Sequence, residues 1–177
     1  MRNNRIRELT LISLISVIIA ISGIFKLPGI IPGTEFQMSA PIAIGICATF
    51  GFKRYVFSGI IASFINLLMG THTLLNVIAA MIFRIVGGGL IGIFGNGIIV
   101  VTTAGPVGTI CGRIVMSFIT GVPAKVLIIS AFIGMVYTAI LSYITFKLIK
   151  HITIKTPYKN FILDEYKIGE SRKNEII

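Results

Sequence analysis

The sequence predicts an all-α, polytopic membrane protein built as a six-transmembrane-helix bundle, and three observations carry that reading. Hydrophobic residues make up 55% of the 177 positions, and mean hydropathy is +0.96. Charged side chains make up 12%, too few to cover the surface of a soluble domain of this size. The charges are also segregated. Of 16 Lys and Arg, three (Arg2, Arg5, Arg7) precede residue 8 and seven lie from Lys147 onward. Between residues 9 and 146 stand one acid, Glu35, and six bases: Lys26, Lys53, Arg54, Arg84, Arg113 and Lys125. A net charge of +10 in a soluble protein would suggest nucleic acid. Here the bases flank apolar runs, so they read as membrane-orientation signals and no nucleic-acid partner is expected.

A helix needs about 20 apolar residues to cross the hydrocarbon, fewer where the span is short or the bilayer thinned. The first span covers residues 9–25. It ends in Lys26-Leu27-Pro28 without a small-residue cleavage site and is followed by more apolar runs, so it reads as a retained helix rather than a signal peptide. A connector, 26–37, carries Pro28 and Pro32. Spans two and three cover 38–52 and 55–69, separated by Lys53-Arg54. A fourth starts at Leu74 and runs into the glycine-rich stretch 87–97. The fifth covers 106–120, with 95–105 able to extend either neighbour, and the sixth 124–149. This divides the chain into a six-helix transmembrane domain, 1–150, and a polar tail, 151–177.

Six spans place both termini and the Lys53-Arg54 turn on one side, with twelve of the sixteen bases, against Lys26 and Lys125 on the other. By the positive-inside rule both termini are cytoplasmic, and the protein is a multi-pass protein of the cell membrane.

Enzyme chemistry has little to build on. There is no G-x-x-x-x-G-K-[S/T], no H-E-x-x-H, no cysteine pair at metal spacing and no carboxylate pair within the spans. Cys47 and Cys111 sit in apolar runs as small hydrophobes. No catalytic residue, no metal site and no cofactor in this chain are expected.

Four features remain. Ser13, Ser16, Ala20 and Gly23 place small residues on one face of the first helix, suited to close helix approach, either within the chain or against another membrane subunit. The connector holds Glu35, Phe36 and Gln37 beside its prolines. Asn66, Thr71, His72 and Asn76 gather at the outer ends of spans three and four, where buried amides need partners. Together these outer residues suit a small neutral or zwitterionic ring. Finally, Arg84 and Arg113 fall near mid-span, where an arginine costs about 2.5–3.5 kcal/mol on insertion scales. With no intramembrane acid available, they must face carbonyls, water or an anionic ligand, unless they snorkel to an edge.

The stretch from 36 to about 92 resembles the substrate-binding S components of energy-coupling-factor (ECF) vitamin transporters. The likeness rests on Phe36-Gln37-Met38, on Gly51-Phe52, and on the run Asn66-Leu67-Leu68-Met69-Gly70-Thr71-His72-Thr73-Leu74-Leu75. That run is most similar to the N-L-L-G-T-G-T-L-L segment of the ThiW type, with His72 standing in place of a glycine. The resemblance implies an S-component fold that binds a vitamin or precursor, here the thiazole moiety of thiamine, with another small vitamin-like ligand as the alternative. It also implies partners: a transmembrane coupling subunit docking on helix 1, and two ATPase subunits that use the ATP. A membrane-embedded enzyme and a ligand-free membrane protein are the competing classes. Labelling a cysteine placed at position 160 tests the orientation: modification is expected only after permeabilisation, and labelling of intact cells would overturn it.

Overall fold

The computed structural model describes residues 2–28, 35–37 and 39–163. Six helices follow one another along the chain: α1 (Arg2–Ile24), α2 (Ser39–Phe50), α3 (Phe52–Leu68), α4 (Leu74–Phe94), α5 (Ile98–Thr120) and α6 (Ala124–Ile154). Between α1 and α2 stands a short antiparallel pair, β1 (Lys26–Pro28) and β2 (Glu35–Gln37), with Lys26 opposite Gln37. The connector expected at 26–37 as a proline-restrained loop thus contains a β pair, which no alternating pattern announces.

Local chemistry explains where the helices change direction. Gly51 takes φ +87° between α2 and α3, a conformation open to glycine, so the chain reverses without a loop. Thr73 caps α4, its hydroxyl accepting from the Asn76 amide at 3.3 Å. Residues 98–105, assignable to either neighbour from sequence, belong to α5. Pro106 therefore lies inside a helix, which the membrane-helix setting tolerates.

Four helices are long and apolar enough to cross a bilayer: α1, from Asn4, and α4, α5 and α6. With 12 residues, α2 is only about 18 Å long at 1.5 Å per residue. Its place explains its sequence. It packs against all five other helices and buries nine of its residues, including Ile44, Cys47 and Ala48, which are fully enclosed. A helix apolar on every side belongs in an interior.

The end of the bundle carrying the α2–α3 turn is tied by polar contacts. Arg54 Nε meets Glu8 Oε1 at 2.8 Å, and its Nη1 donates to the carbonyls of Phe50 and Phe161. Asn96 donates to the carbonyls of Ala48 and Leu163, and the Leu163 amide donates to Thr49 O at 2.7 Å. The boundary expected at 150 thus moves. α6 continues to Ile154, and Tyr158 and Phe161 pack on the core. The rest of the expected tail, 164–177, lies outside the described residues.

Candidate ligand-binding site

Helices α1 and α3 run side by side in the same direction. Ser58 Oγ donates to Ile12 O, Asn66 Nδ2 to Ala20 O at 3.4 Å, and His72 Nε2 lies 3.2 Å from Gly23 O. A Cβ on Gly23 would come within 2.9 Å of Asn66 Nδ2. Small residues on the first helix therefore serve intrachain packing. Ser16, Ala20 and Gly23 are buried against this chain's own helices, and of the four residues expected to dock a partner only Ser13 is exposed.

The same contacts correct the expected ligand cluster. Asn66 and His72 are buried and hold α1 to α3, while Thr71 Oγ1 donates to Asn66 O at 3.0 Å. None of the three lines the cavity described below, although Asn66 Oδ1 and His72 Nδ1 are buried without a hydrogen bond among the described residues. Glu35, Phe36 and Gln37 form β2, and their side chains lie outside the described residues. Asn76, by contrast, lines that cavity.

That cavity, of about 320 Å³, lies among α2, α4, α5 and α6, with Tyr55 of α3 contributing to its wall. Its volume falls in the range of small-molecule sites. Ala43, Ala79, Phe83 and Ala131 supply apolar lining, and Asn76, Tyr137, Arg84 and Arg113 supply polar groups. Helix spacing makes room for it. Gly108 of α5 approaches Phe83 of α4, and Gly112 approaches Ala79, which fixes the register of this antiparallel pair. On that register Arg113 lies roughly 9 Å along the axis from Arg84, toward the α3–α4 turn, at 1.5 Å per residue.

Most hydroxyls in the wall are already used. Thr109, Ser130 and Thr138 each donate to a carbonyl of their own helix. The arginines differ. Arg84 is 7% exposed at the middle of α4, and its Nη1 donates to Ser63 Oγ at 2.7 Å, with the Met81 sulfur at 3.8 Å. Guanidinium carries five donors, so most of its capacity is unspent, and among the described residues no acid pairs with it. The Tyr55 hydroxyl is fully buried beside this arginine and has its guanidinium as polar neighbour. Arg113 is half-buried, with no partner among the described residues. Two cations round one cavity, with no described acid beside them, are chemically suited to an anion. Sequence reasoning singled out the arginines by depth but missed Tyr55; its signal was the spacing Tyr55, Gly59, Ser63 on one face of α3.

Comparison with solved structures gives the class. The chain has the fold of the substrate-binding S component: it matches the crystal structure of the S-component for biotin from an ECF-type ABC transporter with a TM-score of 0.69 at 18% identity, over 92% of this chain and 99% of that one. It is a multi-pass helical membrane protein that shares its fold with this transporter subunit. The chain belongs to the family of Protein BioX of Lysinibacillus sphaericus, to which it is 47% identical over 143 residues, 81% of this chain and 86% of that protein. No family model matches. Neither relative supports the finer likeness to the ThiW type, and the expected alternative, another vitamin-like ligand, fits better.

Asn66→Ala checks the structural role assigned to this amide. Loss of one buried hydrogen bond, at about 0.5–1.5 kcal/mol, is expected to lower the unfolding midpoint by a few degrees. Ligand affinity should stay within about twofold, because Asn66 is outside the cavity. A loss of affinity with unchanged stability would return Asn66 to the binding site.

Proposed function

We propose that this protein is the substrate-binding membrane subunit of an ECF-type importer, and that its ligand is a small vitamin or vitamin precursor bearing an acidic group. The observation that carries the second half is the cavity itself: buried Arg84 and half-buried Arg113 line it, with no described acid to neutralise them. Biotin, the ligand named for the structural neighbour, ends in a carboxylate and meets that requirement. A neutral thiazole alcohol does not.

Uptake on this reading begins with the ligand entering from the α3–α4 end, which the charge pattern makes the outer one. Arg113, nearer that end, attracts the anion, and Arg84 holds it deeper. Guanidinium and carboxylate form paired, charge-assisted hydrogen bonds in a site shielded from water, where each is worth more than at a surface. Asn76 and Tyr137 offer neutral polar contacts for the rest of the molecule. A transmembrane coupling subunit and two ATPase subunits supply the energy, and this chain hydrolyses nothing.

Binding of radiolabelled biotin to the detergent-purified protein tests the site. Arg84→Gln is expected to weaken it about 10- to 100-fold, the range for a lost charge-assisted hydrogen bond. For Arg113→Gln, farther out and less buried, the expected loss is about 3- to 10-fold. Binding that survives both changes but disappears in Asn66→Ala would move the site back to the α1–α3 end of the molecule.

A further inference from the structure

We infer that Tyr55, Gly59 and Ser63 of α3 are positioning residues that aim Arg84, and that they set the preference of the cavity for an acidic over a neutral ligand. This rests on the anion reading above. The three positions are four apart, so they form one stripe along α3 facing α4. Each meets Arg84 or its helix in a different way.

Gly59 provides the floor. A Cβ at this position would lie 2.3 Å from Arg84 Nε, 2.5 Å from its Cδ and 3.0 Å from its Cζ. The arginine therefore lies directly on the α3 backbone, in space that a methyl group would fill. One turn further along, Ser63 Oγ accepts from Nη1 at 2.7 Å and fixes the rotation of the guanidinium plane. One turn back, the Tyr55 ring packs on Gly88, where an added Cβ would come within 3.0 Å of Cε1. Gly88 is one turn from Arg84 on α4, so the Tyr55 hydroxyl is held against the arginine's guanidinium.

Bidentate recognition depends on this kind of support. A carboxylate takes two parallel N–H bonds only when the guanidinium plane is correctly turned, and a site held loosely loses that geometry. α3 occupies one side of Arg84 and leaves its remaining donors to the cavity that it lines. A neutral amide gains much less from the same fork, since it offers a single oxygen and no charge.

The experiment measures dissociation constants of purified protein for two matched pairs, biotin with its primary amide and hexanoate with hexanamide. The readout is the acid-to-amide ratio. Gly59→Ala displaces only the flexible end of Arg84, so the protein should fold. Its acid preference is expected to fall about tenfold, with amide binding little changed. Ser63→Ala should lower the ratio about threefold or more, and Ser63→Thr, which keeps the hydroxyl, should restore it. Neither α3 change should lower the ratio further in an Arg84→Gln background, because residues acting through one group are not additive. A merely structural role would weaken acid and amide alike. If the wild type prefers acids but Gly59→Ala and Ser63→Ala keep that preference, the positioning role is wrong and the anion site stands. If the wild type binds neither acid, or binds acid and amide equally, the anion reading fails and the positioning role fails with it. Should Gly59→Ala not fold, the Ser63 pair decides the question alone.

Discussion

The structure turns on one constraint: a guanidinium buried at the middle of a membrane helix with no carboxylate beside it. A buried charge is retained only if something solvates it, and among the described residues Arg84 has the hydroxyls of Ser63 and Tyr55 and the Met81 sulfur, but no carboxylate. The rest of the arrangement follows from that need. α3 carries glycine where the arginine crosses it, α4 carries glycine where Tyr55 packs, and a cavity is left on the remaining side. On the function proposed above, a ligand that brings its own negative charge would complete the site.

Architecture makes this possible through α2. A short helix enclosed on all sides gives the bundle an apolar axis around which the longer helices pack. The far end is closed by Arg54, which reaches α1 through Glu8, the end of α2 through Phe50 and the returning chain through Phe161. Polar ties at one end and a polar cavity toward the other suit a molecule that must admit a ligand from one side only. The second arginine fits the same polarity, since Arg113 lies between Arg84 and the α3–α4 end.

Much of this was legible in the sequence, and the parts that were not have physical reasons. Hydropathy and charge gave the helical bundle, because apolar runs bounded by bases have few other solutions. The boundaries near 98 and 150 were less readable: a proline inside an apolar helix looks like a start, and a basic turn at Lys147 and Lys150 looks like an end. Small residues on α1 announce close packing but not the partner, and here the partner is α3 of the same chain. Asn66 and His72 looked like ligand groups because buried polar residues need bonds; the bonds they make are to the carbonyls of Ala20 and Gly23. Depth and isolation singled out Arg84, and among the described residues no acid pairs with it. Tyr55 was invisible from composition, as its importance lies in the buried hydroxyl that packing sets beside Arg84.

The most direct measurement is the chemical nature of the small molecule that accompanies the protein from its native membrane. The protein purified in mild detergent would be denatured, and the released compounds identified by mass spectrometry beside the same preparation of Arg84→Gln. The account predicts a small carboxylic acid released by the wild type and missing from the variant. A neutral or cationic compound, present equally in both, would contradict it.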